Sequence, residues 1–322
     1  MRRLGHVLAF GVLTTTASSA AAQGRSPSWE SSAPRSTDAV APSPSKPPSP
    51  EEPRPLLPLL LRVPRSADTL RVDSTFGFGE LGDKPVRSSL LLLSGSHRIT
   101  ESFALNARWG VHDYVEMGGA ERAATTNPTV GGLLAWRLGR FFRVATAASV
   151  ALPIGSGSGS SASTTLRNAN RSAGFARSAY DGALFAVNDL GVPVGADLAF
   201  AYRRFSAQAE VNVIPSVRVQ GARTSPDPSR LNSTSGLLLG YAFLPELELA
   251  TELRYQRFLS TPVAVEKDPT QRDSLTVAAG LRTQLVTGST RIRPGLSYSR
   301  GIAGAIAANH YQMVGFDIPV AF

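Results

Sequence analysis

From about Leu70 to the C-terminus, apolar residues recur at every second position, the period of an extended strand whose side chains alternate between two faces. Phe103, Leu105, Ala107, Trp109 and Val111 alternate with Ala104, Asn106, Arg108 and Gly110; Phe205, Ala207, Ala209, Val211 and Val213 alternate with Ser206, Gln208, Glu210 and Asn212. Leu275, Val277, Ala279, Leu281, Thr283 and Leu285 repeat the pattern against Arg282 and Gln284. Each run is about ten residues long, the length a tilted strand needs to cross a bilayer and longer than the five or six usual in soluble sheets. The pattern predicts twelve strands, near residues 70–79, 87–97, 102–114, 129–138, 141–153, 194–203, 205–219, 235–244, 246–258, 274–286, 290–302 and 311–322.

The connections sort into two kinds. After the even-numbered strands they are short, as at Gly139–Arg140, Arg203–Arg204 and Leu244–Glu246; after the odd-numbered strands they are longer, up to the stretch from Ile154 to Pro193. Short turns at one rim and long loops at the other predict an all-β, antiparallel up-and-down transmembrane β-barrel of about 12 strands, with both termini on the short-turn, periplasmic side. Pro215, Pro294 and Pro319 interrupt proposed strands and call for bulges or broken pairing, since a closed barrel has no free edge. The strand at residues 70–79 has the weakest pattern and is required mainly by parity. An exported β-sandwich tolerates the prolines more easily but explains the loop alternation less well.

The first 68 residues read differently. Arg2 and Arg3, the apolar stretch Leu4 to Leu13 and the small residues Ala20–Ala22 predict an export signal over residues 1–22. Residues 23–68 are rich in Pro and Ser, with eleven of the 23 prolines between Pro27 and Pro64, and are expected to be a disordered, extended periplasmic linker. Its one apolar patch, Leu56–Leu61, reads as slack or as a partner-binding element. Residues 69–322 form the expected barrel. No stretch reaches the ~18 uninterrupted apolar residues of a spanning helix.

The chain ends with Phe316, Ile318, Val320 and Phe322 on one strand face. Here it resembles the Gram-negative outer-membrane β-barrel proteins of transport type, whose last strand closes on an aromatic residue. The resemblance implies an outer-membrane location, contact with outer-membrane lipid and lipopolysaccharide, insertion by the barrel-assembly machinery and a possible small-molecule solute. A narrower resemblance rests on Asn127-Pro128-Thr129-Val130-Gly131 and Leu152-Pro153-Ile154-Gly155, which are similar to motifs of barrels associated with uptake of phenolic or other hydrophobic compounds. Both are also ordinary chemistry for strand entrances and exits.

Basic residues outnumber acidic ones by 33 to 24, but no segment concentrates them, which argues against nucleic-acid binding. The absence of cysteine excludes disulfides, thiolate metal sites and thiol catalysis. Charged residues fall opposite the apolar series, and Arg facing lipid at the midplane costs about 2–4 kcal/mol, so they are expected to point inward. Arg108, Arg137, Arg143, Glu210, Glu252, Arg254 and Arg282 are the candidate lumen residues, acting by attracting, excluding or pairing charge. Aromatics near strand ends read as membrane-interface girdles, with Trp109, Tyr255, Phe258 and Tyr298 at the outer one.

These features predict a passive channel or binding barrel for small solutes, with no cofactor and no bound metal. The alternatives are a closed structural or surface-interaction barrel and an outer-membrane lipid-modifying enzyme. For the enzyme, His97, His112 and His310 have no Ser two positions away. Gly155–Ser161 lacks the ending of a phosphate loop and reads as an external loop or a fold-in constriction. Arg167, Arg171 and Arg177 in the same stretch are either contacts for lipopolysaccharide phosphate or solvated charge.

Overall fold

The computed structural model describes residues 57–159, 162–221 and 227–322; the expected export signal and most of the expected linker lie outside these residues. In chain order the elements are β1 (Thr69–Leu81), β2 (Lys84–Arg98), β3 (Phe103–Glu116), β4 (Glu121–Thr125), β5 (Thr129–Leu138), β6 (Phe142–Ala151), helices α1 (Thr164–Ala176) and α2 (Gly182–Phe185), then β7 (Asp189–Gly191) and β8 (Val194–Tyr202). There follow β9 (Phe205–Arg218), β10 (Ser229–Leu244), β11 (Leu247–Phe258), α3 (Val263–Lys267), β12 (Asp273–Thr283), β13 (Leu285–Thr287), β14 (Thr290–Ile292), β15 (Gly295–Ala303), α4 (Gly304–Ala308) and β16 (Gln312–Ala321).

These strands make twelve antiparallel staves of one closed barrel. Pairs β4/β5, β7/β8, β12/β13 and β14/β15 are single staves interrupted by a kink. Closure runs from Thr69↔Ala321 to Phe78↔Gln312, so the weakly patterned first strand is paired along both edges, with β16 and with β2. The prolines sit where the ladders break. Opposite Pro215, the Val192–Pro193 step separates β7 from β8, and Val192 N donates to the Pro215 carbonyl. Pro294 separates β14 from β15, and Arg293 N donates to the carbonyl of Pro319. The first outer connection is shorter than the sequence implied: Gly82 and Asp83, both at positive φ (58° and 61°), close a two-residue hairpin turn.

The alternation orients the side chains as the pattern requires. Leu105, Trp109, Leu237, Phe316 and Phe322 face outward, each more than 40% exposed, whereas Glu252 and Arg282 are 1% exposed inside. Phe258 is an exception to the girdle reading, because its side of β11 turns inward to line a cavity.

Among the described residues, two long pieces of chain fill the middle of the lumen, and the short α4 adds Ala305 and Ile306 to its apolar packing. The end of the stretch read as a linker, Leu57 to Arg65, lies inside the barrel with Leu57, Leu59 and Leu61 buried, so its apolar patch is packing surface. Leu59 and Leu61 pack with Leu238, Ala250 and Ala278 of the wall. Gly236 has no side chain because a Cβ there would stand 2.4 Å from Leu61 Cδ2. The second piece is the long connection between β6 and β7. It folds inward as α1, capped by Ser163 Oγ accepting from Leu166 N at 3.2 Å, followed by α2. Small residues Ala169 and Ala173, both fully buried, bring α1 close to the wall, where Leu90, Leu92, Tyr114, Tyr311 and Met313 complete two apolar clusters.

Candidate functional site: a lumen closed by two inserts

The carboxylates inside the barrel receive the N-terminal segment through its backbone. Glu252 accepts from Leu59 N at 2.5 Å and from Leu60 N at 3.1 Å, while Arg254 Nε donates to the same carboxylate at 2.9 Å. Glu210 accepts from Arg62 N at 2.6 Å. The Arg62 side chain reaches Asp197 at 3.0 Å and Asn212 Oδ1 at 2.5 Å, and Gln208 donates to the Arg62 carbonyl at 2.8 Å. Arg282 grips Asp317 with two bonds of 2.8 and 3.0 Å and also donates to the Pro58 carbonyl at 3.1 Å. Arg71 bridges Asp73 and Asp317 and donates to the Pro58 and Leu59 carbonyls. A backbone crossing a polar lumen keeps its amide groups satisfied only if the wall supplies partners, and these residues supply them.

The second insert is fixed by a different set. Arg108 makes a two-pronged contact with Asp181 at 2.9 and 2.8 Å, and Arg177 Nε donates to the same carboxylate at 2.9 Å. Burial alone raises the Asp181 pKa; the guanidinium of Arg108, then that of Arg177, outweighs it and holds the carboxyl well below the usual carboxylate range. This contact is therefore complete at neutral pH and persists as pH falls through the ordinary carboxylate range. Arg254 Nη1 donates to Ser178 Oγ at 2.9 Å, linking the insert to the residues that hold the N-terminal segment. Asn127, fully buried at the kink between β4 and β5, anchors the other end. Its N–H donates to Leu184 O at 2.8 Å, its Nδ2 donates to Ala183 O and Ala186 O at 3.1 Å each, and its Oδ1 accepts from Gly155 N at 3.0 Å.

Among the described residues, two of the cavities left between wall and inserts are large enough to matter here. An outer one of about 650 Å³ lies toward the long-loop rim between α1 and β9–β12, and an inner one of about 200 Å³ lies toward the short-turn rim beside the N-terminal segment. A single stretch of chain divides them: Ala179, Gly182 and Phe185 line the outer cavity, and Tyr180, Asp181, Ala183 and Leu184 line the inner one. Tyr180 packs against the same cluster as Leu59 and Leu61, so the two inserts meet at this partition.

Five of the seven lumen candidates, Arg108, Glu210, Glu252, Arg254 and Arg282, thus hold the inserts in place. Arg137 and Arg143 stand opposite one another across β5 and β6 at the short-turn mouth. Burial, followed by the charges of Arg293, Arg143 and Arg291, lowers the pKa of Arg65 at this mouth to about 10. Sequence reasoning missed Asn127, Asp181, Ser178, Arg62 and Arg71 as structural members of the site. Arg177, read as either a contact for lipopolysaccharide phosphate or solvated charge, is 3% exposed and paired with Asp181 in the partition, which fits neither reading. His112 is buried against Phe185 and bonds Asn170 Oδ1 at 3.1 Å, which gives it a packing role. Among the described residues no group of three or more His, Cys, Asp or Glu is arranged for a metal ion.

No protein-family model matches the chain, and no curated protein does. Among solved structures, it is similar to an outer membrane channel from Pseudomonas putida F1, with a TM-score of 0.57 at 11% identity over 82% of this chain and 98% of that one. The NanC porin also aligns, with a TM-score of 0.47 at 10% identity over 79% of this chain and 98% of that one. At these identities the likeness is one of architecture, and the chain has a closed antiparallel barrel fold shared with an outer-membrane channel.

Proposed function

We propose that the protein is a passive outer-membrane channel for small solutes, held shut by its two inserts in the state described. The observation that carries this reading is the partition at Ala179–Phe185, a single stretch of chain between a large outer cavity and a smaller inner one. A barrel serving only as a structural plug has no need of cavities on both sides of so thin a wall. The outward apolar face suits the bilayer, and the long-loop rim is then extracellular. Export by residues 1–22, a periplasmic approach of the linker and assembly through the strand ending at Phe322 belong to the same reading.

The test is planar-bilayer conductance of the wild type and of Asp181→Asn. Removing the carboxylate leaves Arg108 and Arg177 partly uncompensated in the lumen, a change that costs about 3–5 kcal/mol where such pairs are buried. Conductance is expected to rise at least fivefold. Equal, negligible conductance in two correctly folded barrels would favour the closed structural barrel.

A further inference from the structure

The outer cavity has chemistry of its own. Four guanidinium groups line it, those of Arg167, Arg171, Arg218 and Arg230, against two carboxylates, Asp189 and Asp268. Arg218 and Arg230 share the buried Asp189. Arg167 and Arg171 stand one turn apart on α1, and among the described residues neither forms an ion pair. Arg167 donates to Ala162 O at 2.5 Å and Thr164 Oγ1 at 3.0 Å, and Arg171 donates to Gln271 Oε1 at 2.9 Å. Asp268, whose charge acts on Arg171, has its oxygens engaged by Thr270 and Gln271.

The same cavity is apolar elsewhere. Phe175 lies under the Arg171 guanidinium at 5.4 Å, and Phe185, Val187 and Phe258 extend the apolar lining. A volume of about 650 Å³ is in the range of small-molecule sites. Fixed charge of one sign along a low-dielectric passage raises the local concentration of the opposite ion.

We propose that the outer cavity binds an organic anion with an apolar body, an aromatic or medium-chain carboxylate, its carboxylate on Arg167 and Arg171 and its apolar part against Phe175 and Phe258. The assignment rests on the channel reading for its role as a solute site, while binding itself is testable without conduction. Arginine suits the task because its planar fork matches a carboxylate in two-pronged geometry.

The test uses the full chain in lipid nanodiscs with benzoate, benzyl alcohol and acetate as probes, binding followed by calorimetry. Benzoate is expected to bind at least tenfold more tightly than benzyl alcohol, which lacks the charge, or acetate, which lacks the ring. Arg167→Gln/Arg171→Gln should weaken benzoate at least tenfold, and Arg122→Gln, outside the cavity, should leave it unchanged, each barrel being checked for heat-modifiable migration. Equal affinity for benzyl alcohol and benzoate, or benzoate affinity unmoved in the folded double variant, would overturn the proposal. Benzoate binding as described in barrels that conduct neither as wild type nor as Asp181→Asn would sink the channel reading and leave this site standing.

Discussion

Replacing both Glu210 and Glu252 by Gln will raise single-channel conductance at least tenfold while the twelve staves stay intact. The two carboxylates hold the N-terminal segment through Leu59 N, Leu60 N and Arg62 N. Hydrogen bonds to a charged group contribute about 1.5–3 kcal/mol and neutral ones about 0.5–1.5, so each substitution loses about 1 kcal/mol at the backbone. Arg254 and Arg62 lose charged partners as well. A total near 2–3 kcal/mol shifts the balance between seated and released segment by roughly 30- to 150-fold. Gln keeps the volume, so the strand pairing of β9, β10 and β11 is not disturbed. Planar-bilayer recording reads the opening, and limited proteolysis within Leu57–Arg65 reads the release. A double variant that keeps wild-type conductance with a protected segment would show that these carboxylates do not hold it.

Asn127→Ala is expected to free the second insert. The Asn127 side chain makes three hydrogen bonds from a fully buried position, to Ala183 O, Ala186 O and Gly155 N. Truncation removes these bonds and strips Ala183 O and Gly155 N of this partner, while Ala186 O keeps its bond from Asp189 N. At about 1–3 kcal/mol for each buried group left unsatisfied, the cost is on the order of 3–5 kcal/mol, concentrated on the insert. Amide hydrogen exchange across α1 and α2 should quicken by roughly 10²- to 10³-fold, since each 1.4 kcal/mol is tenfold. Exchange in β9–β12 should hardly change. Unaltered exchange in the insert would mean that Asn127 is dispensable to it.

The alternation of apolar and polar residues made the barrel legible, because a lipid face and a watery face impose the period of the strand directly. The filled lumen was legible only in part. Leu90–Leu93 and Leu237–Leu239 break the alternation, since Leu91 and Leu93 face outward at 39% and 43% exposure while Leu90 and Leu92 lie inside at 2% and 0%. An apolar residue on the inner face of a strand signals that something apolar rests against it, and Gly236 beside Leu237 signals a close approach. Those cues point to an insert without saying which segment supplies it. Helix α1 was hidden because its packing face is built from Ala169, Ala173 and Ala176, which give little hydrophobic contrast. The charged lumen residues were found by their face, but their role was not. Glu210 and Glu252 hold main-chain amides, and only the fold brings residues 59–62 to them.

The most direct test of a channel divided by one stretch of chain uses the absence of native cysteine. Asn232→Cys lines the outer cavity and Ser149→Cys the inner one. A membrane-impermeant thiol reagent applied from the long-loop side should modify the first and spare the second in the otherwise wild-type barrel. In the Asp181→Asn background, which loosens the dividing stretch itself, both should react from that side. Equal reaction of Ser149→Cys in both backgrounds would contradict the partition, and its protection in both would contradict the conduit.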